Sequence, residues 1–301
     1  MALATLFSRA LLGVDARIVT VEVHLGTGLP SFPLVGLPET SVKEAKERVR
    51  SAIINSNFKF PNNKRITVNL APANLPKEGG RFDLAIALGI LIASDQINGV
   101  NIEQFECFAE LALSGELRPI DGIIPCALAA KKPKRALIIS PENQNEGALT
   151  GADSFVAKCL NDACAFLQGI KKLPDAQAKE QVKVENKVDM QDVLGQTQAK
   201  RVLEIAAEGG HNFLLVGPPG TGKSILAERF MTLLPSLNQD EALETAAIYS
   251  ACGKARDDWY LPAIRSPHHS ASSVAFFCFC VVVMSILYLA MVMLCLNIFT
   301  E

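Results

Sequence analysis

A glycine-rich octapeptide, GPPGTGKS, has the spacing of a phosphate-binding loop. It extends from Gly217 to Ser224 and matches the pattern GxxxxGK[ST]. In such a loop the glycines let successive backbone N–H groups turn toward an anion, and the lysine adds positive charge near the β- and γ-phosphates. The serine hydroxyl can bind Mg²⁺, which also bridges phosphate oxygens. The octapeptide therefore predicts a site for ATP and Mg²⁺, with Ser224 as the metal ligand.

The segments on either side of the loop are those that a phosphate loop requires. The apolar residues Phe213 to Val216 predict a short strand before it, and SILAERFMTLLP predicts an amphipathic helix after it. An ordinary glycine-rich turn is the alternative, but the octapeptide and both flanking segments would then have to coincide by chance. All eight loop residues are predicted nucleotide contacts: Gly217, Pro218, Pro219, Gly220, Thr221, Gly222, Lys223 and Ser224.

Length and charge limit what surrounds this loop. A chain of 301 residues is long enough for about two domains, each with its own core. With 29 Lys and Arg against 31 Asp and Glu, the formal charge of −2 gives no overall attraction to nucleic acid. Any binding to nucleic acid must then come from a local patch or from assembly.

The cysteines indicate buried thiols in a reducing compartment. The chain has eight of them, without paired CxxC spacing and without the density of a small secreted scaffold. Because a structural zinc site needs such spacing, a metal site among them is disfavoured. The first residues are mildly apolar, but no basic stretch precedes the apolar one, so a signal peptide is also disfavoured. The N-terminal part is expected in the cytoplasm.

Upstream of the loop, strand and helix patterns alternate irregularly. Residues 19–25 alternate apolar and polar side chains, which predicts a strand with His24 on its polar face, and RITVNLAP and KRALIISP predict two more. FECFAELALSGELRPI indicates a hairpin with Gly115 near its turn. These patterns are typical of an α/β fold.

Two helices are predicted in the same region. In ETSVKEAKERVRSAIINSN, Ser41 and Glu44 have the spacing of a capping box, and apolar residues recur at helical spacing from Val42 to Ile53. GGRFDLAIALGILIAS is apolar over too long a run for anything but a buried helix. Residues 171–188 contain eight charged residues out of eighteen, which is typical of an exposed linker between domains.

Several of these stretches resemble a known family. DVLGQTQAKRVLEIAAEGGHNFLLVGPPGTGKS resembles the start of the ATPase module in magnesium-chelatase-related AAA+ proteins. LPSFPLVGLPETSVKEAKERVRSAI and NLAPANLPKEGGRFDLAIALGIL resemble the N-terminal domain of the ComM/YifB family. The resemblance covers residues 1–275 approximately. It implies an N-terminal domain with the Lon-protease-like fold, also named after domain 2 of ribosomal protein S5, followed by the first part of a P-loop AAA+ domain.

The expected organisation has four parts. Residues 1–170 form the Lon-like domain, 171–188 the linker and 189–275 a partial magnesium-chelatase-type ATPase domain with the phosphate loop. The fourth part is an apolar tail at residues 276–299.

The resemblance also implies partners and an activity. Members of this family are expected to form a homo-hexameric ring that drives branch migration of DNA during natural transformation, using ATP. Gly195 and Gln196 match the family residues beside the adenine, although a plain turn at a helix start is the alternative. His268 and His269 belong to a family motif, RSPHHSAS, and metal ligation by these two residues alone is disfavoured.

Two rival functions are disfavoured by the residues themselves. A Lon-type domain can carry a Ser-Lys protease dyad, but this chain has KEGGR at residues 77–81 in place of the serine segment. It has Gly122-Ile123-Ile124 in place of the lysine segment, so both the nucleophile and its base are missing. Magnesium chelation is the second rival. In chelatase subunits the phosphate loop lies near the chain start, whereas some 200 residues precede it here.

The residues after the loop lack the groups that hydrolysis requires. A motor of this class needs an apolar strand ending in Asp-Glu, a polar sensor, an arginine finger and a helical lid. Asp257 and Asp258 follow GKAR rather than an apolar strand, and no acidic residue occurs from Ala275 to Thr300. The apolar tail stands where the family has the Asp-Glu strand. We therefore interpret it as foreign to the family, the product of a frameshift or a truncated gene, and expect binding of ATP without hydrolysis.

The tail is long enough to cross a membrane. Its 24 uncharged residues, 276–299, would span roughly 36 Å as a helix, compared with a hydrocarbon core of about 30 Å. Lys254, Arg256 and Arg265 precede it, so the nucleotide domain would stay in the cytoplasm with a tether in the inner membrane. The alternative is that the run aggregates or is degraded. Two functions thus remain open: a DNA motor of the ComM type, and a nucleotide-binding remnant without turnover.

Overall fold

The computed structural model divides the chain into two compact units. The first comprises residues 1–180 with 246–255, and the second 181–245 with 256–301. The division at residue 180 falls inside the predicted linker, and the boundaries at 170, 188 and 275 remain predictions. The structure describes residues 3–39, 42, 44–99, 101–178, 188–211, 213–254 and 258–262.

The first unit is built on a mixed sheet. Its described strands are β1 (Leu3–Leu12), β2 (Asp15–Gly26), β3 (Leu34–Val35), β4 (Arg65–Ala71), β5 (Phe105–Phe108), β6 (Glu110–Leu111), β7 (Leu117–Arg118), β8 (Ala136–Ile139) and β9 (Ser154–Val156). Seven of them form one sheet in the order β3-β4-β2-β1-β5-β8-β9, and β6 pairs with β7. The pairs β1–β2 and β2–β4 are antiparallel, whereas the other four pairs of the large sheet are parallel.

Five described helices accompany this sheet. They are α1 (Ala45–Asn55), α2 (Asp83–Ala93), α3 (Ile123–Lys131), α4 (Gln144–Leu149) and α5 (Leu160–Leu167). Helix α2 is buried along its whole length except at Ile92, which confirms the prediction from its continuous apolar sequence. It packs so closely on the sheet that a Cβ at Gly89 would lie 2.5 Å from Cγ2 of Val23. Glycine is therefore required at this contact.

Most of the predicted elements are confirmed. The alternating residues 19–25 lie in β2 with His24 exposed, and β4 and β8 lie in the predicted segments. Helix α1 buries the predicted apolar stripe, including Val49 and Ile53, while Ser41 of the proposed capping box lies outside the described residues.

The hairpin prediction is correct only in its second half. Strands β6 and β7 form a short hairpin around Gly115, which has a φ of +90°. Phe105–Phe108 instead forms β5 of the large sheet, in parallel between β1 and β8. Three of its four residues are buried, as expected for a strand covered on both faces.

Strand β1 was not expected from the sequence, because a buried charge obscures its pattern. Arg9 is 6 % exposed and lies on β1, where its Nε and Nη2 donate to the carboxylate of Glu106 at 2.7 and 2.8 Å. Glu106 is on the neighbouring strand β5, 97 residues further along the chain. Two parallel N–H···O bonds of this kind allow the charged pair to stay in the interior.

The second unit is helical in its described part. It contains α6 (Thr197–Gly209) and α7 (Lys223–Phe230), and α8 (Gln239–Ala251) crosses the division between the units at residue 246. Its core is formed by apolar residues that precede the first helix and line both helices: Met190, Val193, Leu203, Ala206, Ala207, Leu226 and Phe230.

The prediction of a strand at Phe213 to Val216 is wrong. Burial does alternate there, with Leu214 61 % and Val216 85 % exposed between half-buried neighbours, but the backbone is irregular. A strand needs a hydrogen-bonded neighbour. Among the described residues of the second unit, no strand lies beside residues 213–216.

No helix in the described part of the chain is long and apolar enough to span a membrane. The span predicted at 276–299 lies outside the described residues, as do His268 and His269.

Candidate functional site

The loop from Gly217 to Ser224 is held by apolar contacts at both of its ends. Phe213, which precedes it, makes an edge-to-face contact with Phe230 on α7 at a centroid distance of 4.8 Å. Leu226 and Phe230 are buried on the same face of α7. The helix that follows the loop is therefore fixed to the core by residues one turn apart, as its predicted amphipathic pattern requires.

The segment before α6 is fixed by a pair of aspartates. Asp189 accepts from the backbone N–H of Gln191 at 2.8 Å, and Asp192 accepts from that of Asp189 at 2.9 Å, which makes a reciprocal cap of a short 3₁₀ turn. Asp192 also lies 3.7 Å from Nε of Arg229 on α7. The sequence analysis did not predict the cap or this ion pair. The spacing of Asp189 and Asp192, three positions apart, is that of a capping box and could have predicted the cap.

Two of the three loop glycines adopt a conformation that favours glycine. Gly220 and Gly222 have φ values of +80° and +82°, in the left-handed region that a side chain disfavours. Gly217 is different, because its φ is not positive and an added Cβ would only touch Oγ1 of Thr221 at 3.4 Å. The sequence argument for glycine is thus confirmed at 220 and 222 and not at 217.

The loop is closed by its own side chains. The Nζ atom of Lys223 donates to the carbonyl oxygens of Gly217 at 2.7 Å and Pro218 at 2.8 Å. Oγ1 of Thr221 donates to the same Pro218 carbonyl at 2.9 Å. These bonds keep the ammonium group at the loop, where it can approach a bound phosphate.

Gly195 and Gln196 form the turn at the start of α6. Both have positive φ values, +70° and +52°, and Gln196 caps the helix in the left-handed conformation. The side-chain Nε2 of Gln196 donates to the carbonyl oxygen of Thr221 at 2.8 Å. The structure thus brings the two predicted segments of the site together, although they are 25 residues apart in the chain.

The donor set at the start of α7 suits a phosphate and Mg²⁺. The first N–H groups of a helix have no intrahelical acceptor, and at the start of α7 the N–H of Leu226 donates to the carbonyl oxygen of Gly222 at 3.0 Å. Those N–H groups and the helix dipole favour an anion next to Lys223. Ser224 lies on the exposed side of the same turn, where its hydroxyl can meet a hydrated cation.

The first unit has a second group of residues at the segments that a Lon-type protease would use. Arg81 ends the segment that, by the family resemblance, replaces the serine segment, and its Nη2 donates to the carbonyl oxygen of Asp121 at 3.2 Å, next to the segment that replaces the lysine segment. Ile124 ends that second segment. The two segments adjoin, but they bring together a guanidinium and an alkyl side chain, which cannot begin acyl transfer.

Lys77, in the same segment, is structural. Its side chain is fully buried, and its Nζ donates to the carbonyl oxygen of Gly36 at 2.6 Å and to that of Pro72. Burial lowers the pKa of this amine from its ordinary value. Because both hydrogen bonds go to backbone carbonyls and the side chain is buried, Lys77 joins two loops and is unsuited to act on a substrate.

Comparison with known proteins finds family models that match two parts of the chain. The family model described as subunit ChlI of Mg-chelatase matches residues 21–144, and the model described as magnesium chelatase, subunit ChlI, matches residues 189–279. The chain is 52 % identical over 283 residues to the competence protein ComM of Haemophilus influenzae and 50 % identical over 278 residues to the protein YifB of Salmonella typhimurium. It is also 38 % identical over 69 residues to an archaeal Lon protease of Thermococcus kodakarensis.

The extent of these matches differs. Those to ComM and YifB cover 91 % of this chain and 55 % of each relative, so the chain spans about half the length of the curated relatives it matches. The match to the Lon protease covers 23 % of this chain and 11 % of that protein.

Proposed function

The chain belongs to the ComM/YifB family of magnesium-chelatase-related proteins, and on that basis we propose that its second unit binds ATP together with Mg²⁺. The observation that carries the proposal is the geometry of the loop before α7. Gly220 and Gly222 have positive φ values, and Lys223 is held at the loop by two carbonyl oxygens. This arrangement provides convergent N–H groups, a helix N-terminus and one cation for a triphosphate.

Each loop residue has a role in this proposal. The backbone of the octapeptide, from Gly217 through Pro218 and Pro219 to Gly222, surrounds the β-phosphate, and Lys223 approaches the β- and γ-phosphates. Ser224 binds Mg²⁺ through its hydroxyl. The backbone of Gly195 and Gln196 lies beside the adenine, as the family resemblance implies.

The activity of the whole protein is a second part of the proposal. By family resemblance we infer an AAA+ motor that assembles as a homo-hexamer and uses ATP to move branched DNA. The name of the Haemophilus relative, a competence protein, supports a role in competence. The net charge of −2 offers no general attraction to DNA, so contact would depend on local loops or on the assembled ring.

The 301 residues by themselves are proposed to bind ATP without turnover. In residues 225–301 no apolar strand pattern ends in Asp-Glu, and the rate of phosphoryl transfer depends on groups that position water and stabilise developing charge. The phosphate loop alone holds the nucleotide in its ground state.

The experiment that tests the proposal is a calorimetric titration of ATP into the full chain, with Mg²⁺ and again with the metal removed by a chelator. We expect saturable binding that is strongest with Mg²⁺, because the metal neutralises the triphosphate and bridges it to Ser224. Absence of saturable binding in both titrations would contradict the proposal.

A further inference from the structure

The side chain of Gln196 makes a contact that an adenine-binding role does not explain. Its Nε2 donates to the carbonyl oxygen of Thr221, inside the phosphate loop, at 2.8 Å. Its backbone, in contrast, caps α6. The backbone of Gln196 thus begins α6, while its side-chain amide contacts the phosphate loop that precedes α7.

This hydrogen bond fixes the peptide unit between Thr221 and Gly222. In a trans peptide the C=O and the N–H point in opposite directions. When the Thr221 carbonyl is directed at Gln196, the N–H of Gly222 is directed away from it. The amide of Gln196 therefore decides where a backbone donor of the loop points.

The peptide needs such an external hold, because its second residue is a glycine. Gly222 has a φ of +82°, and glycine populates positive and negative φ about equally, so this peptide can rotate more freely than most. The amide also covers Gly222 closely: an added Cβ there would lie 3.1 Å from Nε2 of Gln196. A single hydrogen bond selects one orientation out of those that glycine allows.

We propose that Gln196 is a positioning residue for the phosphate loop. Its side chain holds the 221–222 peptide so that the N–H of Gly222 can donate to the phosphate chain of the nucleotide. This inference rests on the proposed binding of ATP. It assigns the amide to the phosphate end of the ligand, so its contribution is the same for any ligand with a triphosphate, with or without a base.

Inorganic tripolyphosphate separates this role from a contact with adenine. Calorimetric titrations of ATP and of tripolyphosphate, both with Mg²⁺, are made into the full wild-type chain and into Gln196→Asn. Asparagine tolerates the left-handed backbone at this cap, but its amide is one methylene shorter and no longer reaches Thr221. The matched control is Gln198→Asn, two positions further along on the exposed side of α6.

We expect Gln196→Asn to weaken both ligands by about tenfold, the effect of one lost hydrogen bond to a loop that must then be ordered by the ligand. Gln198→Asn should stay within about twofold of wild type for both. A second variant, Gln196→Glu, keeps the side-chain length but replaces the donor by a carboxylate, and is expected to weaken both ligands by more than tenfold. Circular dichroism melting curves of all variants check that the fold is retained.

Two results would overturn the inference while leaving the proposed function intact. One is a loss of affinity for ATP with unchanged affinity for tripolyphosphate, which would assign Gln196 to the base. The other is unchanged affinity for both ligands in Gln196→Asn and Gln196→Glu. Failure of the wild-type chain to bind either ligand would overturn the proposed function and this inference together.

Discussion

Nζ of Lys77 donates to the carbonyl oxygen of Gly36 at 2.6 Å, so a fully buried ammonium group joins two loops of the first unit. We expect Lys77→Met to lower the free energy of unfolding at neutral pH by about 2 kcal/mol, since the carbonyls of Gly36 and Pro72 lose a buried donor. Urea denaturation followed by circular dichroism measures this change. The control is Lys64→Met, at an exposed lysine, with an expected change within about 0.5 kcal/mol.

The same lysine predicts a dependence on pH. Burial lowers the pKa of the Lys77 amine below its ordinary value of 10.5. The folded chain then gives up this proton at a lower pH than the unfolded chain, and in that window the unfolded state binds more protons. The free energy of unfolding of wild type should therefore rise with pH toward 10.5, relative to that of Lys77→Met. Parallel curves for the two proteins over this range would contradict the assignment.

The cysteines differ in their expected reactivity. Burial raises the pKa of the thiols of Cys107, Cys126 and Cys164 to about 12, whereas Cys252 is exposed. Because the thiolate is the reactive form, iodoacetamide at about pH 8 should modify Cys252 and spare the other three in the folded chain. Peptide mass spectrometry gives the modification at each site, and the urea-unfolded chain is the control. Equal modification of Cys107 and Cys252 in the folded chain would be inconsistent with this structure.

No peptidase activity is expected from the first unit. By the family resemblance, the segments that end at Arg81 and Ile124 replace those that carry the nucleophile and base of a Lon-type enzyme, and Lys77 is buried. Casein and fluorogenic peptides should remain uncleaved by the purified chain. Turnover that disappears when residues 1–170 are removed would show that a catalytic group has been missed.

Hydrolysis of ATP by the 301-residue polypeptide should not exceed the background rate. In related phosphate-loop enzymes an arginine finger alone contributes roughly 10³- to 10⁵-fold to the rate. No arginine finger is recognisable after Ser224, and the Asp-Glu pair there, Asp240 and Glu241, lies in the first turn of α8 rather than at the end of an apolar strand. Phosphate release is measured with and without branched DNA. A DNA-stimulated rate of about 1 s⁻¹ or more that Lys223→Ala abolishes would refute this expectation.

What could be predicted from the sequence depended on how local the determining contacts are. The stripe of α1 and the uniform apolar run of α2 are patterns within a few residues, and the structure confirms both predicted helices. The octapeptide is an equally local pattern, and its binding of a nucleotide stays a prediction. Strand β1 was missed because Arg9 is neutralised by Glu106, a partner 97 residues away.

The pairing of strands that are distant in the chain could not be predicted from the sequence either. Phe105–Phe108 has an apolar sequence that suits a hairpin or a central strand, and only its neighbours β1 and β8 decide between them. At the site, no pattern in the sequence indicates that the amide of Gln196 reaches the carbonyl of Thr221. Local patterns in the sequence predict helices and single strands. Which strand or side chain lies next to them depends on the tertiary fold.

The affinity of the Lys223→Ala variant for ATP with Mg²⁺ tests the central claim most directly. Nζ of Lys223 is held at the loop by the carbonyls of Gly217 and Pro218, and its removal takes away the one side-chain cation of the octapeptide. Titration calorimetry should show binding weakened by at least tenfold, about 1.4 kcal/mol, while Lys132→Ala, at an exposed lysine of the first unit, binds like wild type. Equal affinities of Lys223→Ala and wild type would contradict the account.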